Sequence, residues 1–323
     1  MRSLQTDLCR RLGIRNPIFG FSHSIDVTVA LADAGCYPVY GATRDLPEQI
    51  VSHLKEIRER VGAGKFGVDL LLPAGVGTET DRAAVVAGLP VEHTAFVDYL
   101  REKYAVPLAT ESTFFSSQVR SQQLFEEQID AVLQSGADGF AAGIGCPPAV
   151  IKRARQCGKF TMSLVGSARH AHNAKSAGVD LIVAQGADAG GHTGPVGTYS
   201  LVPQVVEVAG DTSVLAAGGV GHGRHIAAAF ALGAQGVWLG TAWLTSQEHA
   251  CNPILLRQVL ALTGALLAAV EQHGIEALSY TGAGQGVGWF NELQSVREIV
   301  ERLLSEAGGA LEQMDRQLQV RGL

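Results

Sequence analysis

The chain has 323 residues, of which 46% are hydrophobic and 17% charged, and its formal net charge is −6. This apolar content can bury a large core, which excludes an intrinsically disordered chain. The acidic balance argues against a protein that binds nucleic-acid phosphates or anionic membrane surfaces. The five cysteines include no CxxC pair, so neither a disulfide framework nor a zinc site is predicted.

The sequence shows no apolar segment of the kind that a signal peptide or a membrane-spanning helix requires. Its first residues, MRSLQTDLCRRLGI, contain no apolar run. Nowhere do about 18 apolar residues follow one another, the length that a bilayer-spanning helix needs. We therefore expect a cytoplasmic protein that does not enter membranes.

Short, near-continuous apolar segments recur along the chain and alternate with amphipathic stretches. The predicted strands lie at 17–21, 37–42, 65–72, 140–145, 160–166, 180–186, 213–219 and 236–244. The amphipathic stretches between them lie at 47–60, 121–134, 147–156, 168–177 and 223–232. Continuous apolar runs are typical of strands buried on both faces of a parallel sheet. The alternation predicts an α/β fold, and the eight strands favour a closed (β/α)8 TIM barrel.

The rest of the chain is predicted to elaborate a single domain over 1–323. The long connection at about 73–120 contains a ninth strand candidate, 106–113, and we interpret it as an insertion after the third strand, over the barrel mouth. A helical C-terminal appendage is expected at about 250–310, with helices at 253–270 and 291–307. These helices are joined by a glycine-rich loop, 282–288, which we interpret as a flexible connection beside the active site.

An open doubly wound sheet is the alternative to a barrel. It would place a GxGxxG motif directly after the first strand, whereas the glycine motifs of this chain come late.

One glycine-rich stretch, AQGADAGGHTGPVGT at 184–198, begins at the end of the sixth predicted strand. Catalytic groups of a (β/α)8 barrel lie at the carboxyl ends of its strands. The glycines let the backbone approach a bound group and expose its N–H donors. His192 lies in the middle of the stretch, and its imidazole can take up a proton near neutral pH. His192 is therefore the first candidate for a catalytic base.

Two further glycine turns predict a phosphate site. The seventh strand ends at Gly218 and Gly219, before a short loop and a helix whose N-terminus can hold an anion. Gly240 and Thr241 end the eighth strand and add N–H and hydroxyl donors. Barrels often build a phosphate site from the loops after these two strands. Each turn alone is a weak signal, but both turns after the AGGH stretch form a specific pattern.

The stretch QGADAGGHTG, followed by LAAGGVGHGRHIAAAFALGAQGVWLGTAW, resembles the nitronate monooxygenase (2-nitropropane dioxygenase) family of FMN enzymes. The resemblance runs from about residue 8 to residue 300, and it implies a (β/α)8 barrel with a helical appendage and FMN as cofactor. It also implies that His192 is the catalytic base and that Gly218 and Gly219 hold the flavin phosphate. The full set of implied cofactor-binding positions is Gln185, Gly190, Gly218, Gly219, Trp238, Leu239, Gly240 and Thr241, with Asp69 at a further flavin-contact position.

Two positions depart from the family pattern. The family usually has Asn in the third-strand motif GVNL, where this chain has GVDL with Asp69. A carboxylate that faces a flavin disfavours the anionic reduced form unless it is protonated or paired. The first strand ends in GFSHSIDV, which puts His23 at the barrel mouth as a candidate substrate contact. The alternative for His23 is a structural role in capping the next helix.

Other polar residues give weaker signals. His170 and His172 are two residues apart on a predicted helix and point in different directions, which makes a poor metal pair. His222 and His225 are interpreted as surface histidines, and Cys146 as a small packed residue. No metal site is predicted.

The leading hypothesis is an FMN-dependent oxidoreductase of the nitronate monooxygenase type, in which the flavin passes electrons from a nitronate or related carbanion to molecular oxygen. The first alternative is an NAD(P)H-dependent flavin reductase that acts on an enoyl or acyl thioester or on a quinone. The second is a non-redox isomerase or aldolase for a phosphorylated metabolite, although no strand-end Lys or acidic pair favours it. Expected partners are a small-molecule substrate and oxygen or NAD(P)H. The sequence does not determine the physiological substrate or the oligomeric state, and a homo-oligomer is one of the states it allows.

Overall fold

The computed structural model describes residues 4–108, 110, 114–249, 282–290 and 292–320. Its strands are β1 (Ile18–Ser22), β2 (Tyr37–Gly41), β3 (Gly67–Leu71), β4 (Gly139–Gly143), β5 (Phe160–Val165), β6 (Leu181–Gln185), β7 (Ser213–Ala217) and β8 (Val237–Leu239). They form a closed barrel in chain order, and β8 pairs in parallel with β1. The predicted (β/α)8 fold is thereby confirmed, and the open sheet is excluded.

Helices occupy the connections between the strands. They are α1 (Asp7–Leu12), α2 (Ile25–Asp33), α3 (Pro47–Val61), α4 (Arg82–Ala87), α5 (Val91–Lys103), α6 (Phe114–Ser117), α7 (Gln122–Leu133), α8 (Pro148–Gln156), α9 (Ala168–Ala177), α10 (Thr198–Ala209), α11 (Gly223–Ala231) and α12 (Val296–Val320). Two 3-10 helices span Thr241–Thr245 and Gln285–Trp289. The five amphipathic stretches named above correspond to α3, α7, α8, α9 and α11. None of the described helices has the length and apolar character needed to cross a bilayer.

The near-continuous apolar strands are explained by two separate cores. Along β6, Leu181 and Val183 point into the barrel, while Ile182 and Ala184 point outward against the helices. Since successive side chains of a strand face opposite sides, both sets must be apolar when both sides are covered.

The amino end of the barrel is closed by α1. Leu8, Cys9 and Ile14 are buried and belong to the same cluster as the interior-facing strand residues. The hydroxyl of Thr6 accepts the N–H of Cys9 and fixes the start of this helix. Helix α1 therefore covers the amino end of the barrel interior, on the side opposite the carboxyl ends of the strands.

The connection from β3 to β4 contains α4, α5 and α6 before α7. Of the ninth strand candidate, 106–113, the described residues 106–108 and 110 form no strand. At the C-terminal end, α12 begins at Val296 rather than at 291, and the helix predicted at 253–270 lies outside the described residues.

The last strand is shorter than predicted. The segment 236–244 was expected to be one strand, but β8 ends at Leu239 and a 3-10 helix follows. The Trp243 ring folds back so that its Nε1 donates to the carbonyl of Leu239 over 2.8 Å, and the side chain is buried in the outer core. The strand therefore ends at Leu239, and the chain turns at Gly240 and Thr241.

Candidate active site

The loops after β6 and β7 are tied together at the carboxyl end of the barrel. The Asp188 carboxylate accepts the backbone N–H of Thr198, at the start of α10, over 2.6 Å. The hydrogen bond from the backbone N–H of Thr198 is the main cause that holds the pKa of Asp188 below its usual value. The Thr198 hydroxyl lies 3.2 and 3.1 Å from the carbonyl oxygens of Ala217 and Gly218, to either of which it can donate. The two loops therefore act as one unit.

The turn after β7 offers backbone N–H groups to a ligand. Gly218 and Gly219 have φ angles of 103° and 72°, a conformation that residues with a Cβ rarely adopt. A Cβ on Gly219 would lie 3.2 Å from the Cβ of Asp188. Among the described residues, the N–H groups of Gly218, Gly219 and Val220 find no acceptor. Consecutive N–H groups of this kind form a concavity that suits an anion.

The turn after β8 adds a second set of donors beside the first. The N–H groups of Gly240, Thr241 and Ala242 likewise have no acceptor within the described part of the chain, as expected at the beginning of a helical turn. The Thr241 hydroxyl oxygen accepts the N–H of Gly284 over 2.9 Å, which leaves its own proton available for a ligand. Since β7 and β8 are paired neighbours, both sets of donors lie side by side.

The first turn of α11 is already occupied by a carboxylate of the protein. The N–H of Gly223 donates to Oε2 of Glu306, on α12, over 2.8 Å. The same oxygen lies 3.3 Å from Nδ1 of His222. The donors available to a phosphate are therefore those of the two turns, rather than the helix N-terminus that the sequence suggested.

The glycine-rich segment 282–289 packs directly on these loops. The N–H of Gln285 donates to the carbonyl of Asp188 over 2.8 Å. Gly190 lies so close to this segment that a Cβ there would be 1.9 Å from the carbonyl oxygen of Gly282. The glycines of both stretches thus permit a backbone-to-backbone contact, and the segment forms an outer wall of the site.

His192, the predicted base, is exposed on the loop between β6 and α10. Its backbone carbonyl accepts a hydrogen bond from Nε2 of Gln185, the last residue of β6, over 3.4 Å. Its imidazole makes no hydrogen bond within the described ranges. The ring is therefore free to contact a substrate while its backbone is attached to the barrel.

His23 lies at the carboxyl end of β1, where the sequence places it. Its Nδ1 is 2.7 Å from the carbonyl oxygen of Gly41, so Nδ1 carries a proton and Nε2 is the free nitrogen. Part of the ring remains exposed, but the surrounding protein removes enough water to lower the pKa of His23, and the charge of Arg44 lowers it further. The alternative role in capping is wrong, because the hydroxyl of Ser24 caps α2 by accepting the N–H of Val27.

Asp69, on β3, faces the barrel interior between Gly41 of β2 and Ala141 of β4. Only 4% of its surface is exposed. Its Oδ2 has no hydrogen-bond partner among the described residues. Burial raises the pKa of Asp69 to about 7.

Trp238 and Leu239 are the two remaining predicted cofactor contacts on β8, and their side chains face opposite sides of the barrel wall. The Trp238 ring belongs to the interior cluster and stacks on Phe21, with 6.1 Å between ring centroids. The Leu239 side chain packs in the outer core against the helices. Of these two residues, only Trp238 can contact a ligand through its side chain.

Three residues that gave weaker sequence signals, His170, His172 and Cys146, show no arrangement that points to catalysis or metal binding. His170 and His172 are exposed on α9. The described ranges contain no group of three side chains arranged to hold a metal ion. Burial raises the pKa of the partly buried Cys146, which disfavours a reactive thiolate.

Sequence reasoning missed the connecting residues of the site. Asp188 lies inside the glycine-rich motif, but nothing in its spacing shows that it binds an N–H ten residues later. The glycine-rich loop 282–288 is expected beside the site, but the contacts of segment 282–289 with loops about 40 to 100 residues earlier leave no local pattern.

Comparison with known proteins places the chain in a family. Residues 6–263 match the model of the nitronate monooxygenase family. A candidate monooxygenase of Mycobacterium tuberculosis is 40% identical over 268 residues, which cover 80% of this chain and 72% of that protein. Among solved structures, a nitroalkane oxidase from Streptomyces ansochromogenes gives a TM-score of 0.77 at 22% identity, covering 95% of this chain and 99% of the other. FabK from Thermotoga maritima gives 0.73 at 21% identity, covering 97% and 99%. The chain belongs to the nitronate monooxygenase family, and it is an oxidoreductase.

Proposed function

We propose that the protein is an FMN-dependent oxidoreductase that oxidises a nitronate or a related carbanion with molecular oxygen. The observation that carries this proposal is the pair of adjacent turns after β7 and β8, whose six backbone N–H groups lack acceptors among the described residues. The turn after β7 is hydrogen-bonded to Thr198, which follows the loop that carries His192, in a chain that belongs to a family of oxidoreductases.

The residues at the barrel mouth fit FMN. Its phosphate needs several N–H donors and a backbone without side chains, and the turn at Gly218 and Gly219 meets both requirements. Its flat ring system needs an open, largely apolar floor. The interior side of the barrel is apolar, and Trp238, Ala217 and Ala141 belong to one cluster on it. The orphaned Oδ2 of Asp69 is the polar atom of this floor.

In this proposal, the turns at Gly218, Gly219, Gly240 and Thr241 hold the phosphate, while Gln185, Gly190, Asp69 and Trp238 lie along the ring system. When bound, FMN supplies the redox chemistry, taking electrons from the substrate and passing them to oxygen. The protein itself contributes position, exclusion of water and movement of protons.

His192 is the proposed base. An imidazole that is free at both nitrogens among the described residues can remove a proton from a carbon next to an electron-withdrawing group. For a substrate that arrives as an anion, the same ring in its protonated form holds the negative charge. The hydrogen bond from Gln185 to the backbone of His192 limits the movement of the loop during this step.

His23 is the proposed substrate contact. Its Nδ1–H is used by the Gly41 carbonyl, so the Nε2 lone pair is the atom offered to a ligand. Since the pKa of His23 is lowered, the ring is neutral at pH 7 and acts as a hydrogen-bond acceptor. A substrate with a donor group on the side of β1 is therefore favoured.

The cofactor and the reaction are tested together. Cofactor released from purified protein by heat is identified by chromatography and mass spectrometry, and oxygen consumption is recorded with propionate 3-nitronate. One FMN per chain with nitronate-dependent oxygen uptake is the expected result. A protein that contains no flavin, or whose flavin supports no oxygen uptake with nitronates, would contradict the proposal.

A further inference from the structure

Asp69 is a buried acid, and no described residue places a positive charge beside it. Its neighbours on the two adjacent strands are Gly41 and Ala141, and a Cβ on Gly143 would lie 3.4 Å from its Oδ2. None of these residues offers a donor side chain. The carboxyl group is therefore buried among small residues, and its Oδ2 meets no donor among the described residues.

The charged groups near this end of the barrel do not compensate the acid. Burial is the only cause that shifts its pKa, and no cation contributes. His23, whose ring lies against Gly41, has a lowered pKa and is neutral at pH 7. Arg44, which follows β2, is exposed. From β4, only the uncharged Ala141 and Gly143 face the carboxyl group.

We propose that Asp69 binds in its protonated form and donates a hydrogen bond to the flavin, so that cofactor binding requires a proton at this position. This inference rests on the proposed function. The donated proton stays on Asp69, and no bond is broken when the cofactor binds. An ionised Asp69 would instead bring a buried negative charge, with no described cation beside it, to an electron-accepting ring.

The coupling between protonation of Asp69 and FMN binding predicts how the affinity for FMN changes with pH. A bound ring buries the carboxyl group further and hydrogen-bonds to its protonated form, so both effects raise the pKa above the value of about 7 in the free protein. Binding is then accompanied by proton uptake above pH 7 and not below it. The affinity for FMN is therefore flat at acidic pH and falls as the pH rises.

The test compares the protein with Asp69→Asn, which has nearly the same shape and donates an N–H at every pH. Apo-protein is titrated with FMN, by quenching of flavin fluorescence, between about pH 5.5 and pH 8.5. The ratio of wild-type Kd to variant Kd should be constant below about pH 7 and rise by up to about tenfold per pH unit above it. The ionisation of the FMN phosphate is common to both proteins and cancels in the ratio.

A second measurement does not depend on the flavin. In apo-protein near pH 6, infrared spectra should contain a protonated-carboxyl band that Asp69→Asn removes. The advantage in Tm of Asp69→Asn over wild type should also widen from about pH 5 to pH 7, since the raised pKa makes wild-type stability fall there. Asp138→Asn is the control. Asp138 pairs with Arg58 and Lys65, its pKa is lowered, and its replacement should show no such slope.

Parallel pH curves for wild type and Asp69→Asn, in both Kd and Tm, would overturn the inference, as would the absence of the carboxyl band. Failure of both proteins to bind FMN at any pH would overturn the proposed function and the flavin contact of Asp69. The infrared band and the Tm slope would then still decide whether Asp69 is protonated.

Discussion

The two histidines at the barrel mouth differ in what fixes their rings. His23 is held through Nδ1 by the Gly41 carbonyl, whereas the ring of His192 has no hydrogen bond among the described residues. A base must offer a nitrogen within hydrogen-bond reach of the proton that it removes, and an exposed ring without a described hydrogen-bond partner can do so. This difference supports the proposed division, in which His192 transfers the proton and His23 contacts the substrate.

His192→Asn should give a folded protein with full FMN content and a slower reaction. Removal of a general base costs about 10²–10⁴-fold in rate, so reduction of the flavin by a neutral, proton-bearing nitroalkane should slow by that factor. A pre-formed nitronate has already lost its proton and should be less affected. Stopped-flow absorbance of the flavin measures both rates. Equal rates in variant and wild type for both substrate forms would remove His192 from this role and make His23 the next candidate.

Gly219→Leu should yield protein without FMN. The substitution forces a Cβ into the left-handed conformation, 3.2 Å from Asp188, and puts a bulky side chain beside the proposed phosphate position. Gly158→Leu is a matched control, because Gly158 has a φ of 73° against 72° for Gly219, with nothing within 4 Å of its Cβ position. Flavin absorbance per chain, with circular dichroism to verify folding, is the measurement. Stoichiometric flavin in Gly219→Leu would show that the phosphate is bound elsewhere.

At the scale of elements, the site is an assembly of loops held by a few hydrogen bonds. Thr198, the first residue of α10, connects Asp188 on one loop to the carbonyls at the β7 turn. Segment 282–289 then covers the same loops through backbone contacts. The rigid barrel positions the strand ends, and these bonds set the shape of the turns between them.

Thr198→Val should weaken FMN binding without unfolding the protein. It removes the hydroxyl donor to the β7 turn, a bond worth about 0.5–1.5 kcal/mol, so the Kd for FMN should rise by about two- to tenfold. Thr161→Val is the control: its hydroxyl donates to Asp180 over 2.7 Å at the amino end of β5. Both variants should lose stability, but only Thr198→Val should change the Kd. Equal Kd values in the two variants would mean that the turn keeps its shape without this bond.

The strands and turns of the barrel could be predicted from sequence because their signals are local. Buried parallel strands must be apolar on both faces, and the turns at Gly218 and Gly219 require glycine. The end of β8 could not be predicted, since it depends on the folding back of Trp243. Nor could the partners of Asp188 and Glu306, which join elements far apart in sequence. The position of Asp69 was predictable, but its lack of a partner required the structure.

At the scale of the whole molecule, the two ends of the barrel have different tasks. The amino end is closed by α1 and packs an apolar interior that contributes stability. At the carboxyl end, N–H donors, the His192 imidazole and the Asp69 carboxyl group have no hydrogen-bond partner in the described part of the chain. The connection with α4 to α6 and the helix α12 are additions to the eight-stranded barrel.

The most direct test of the central claim is anaerobic mixing of the flavin-loaded protein with propionate 3-nitronate, and separately with NADH and NADPH, while the flavin absorbance is followed. The account predicts that the nitronate bleaches the flavin, that admission of oxygen restores the absorbance, and that neither nicotinamide cofactor bleaches it at a comparable rate. Rapid bleaching by NADH or NADPH, with a flavin that stays oxidised in the presence of the nitronate, would contradict the account and identify a nicotinamide-dependent reductase.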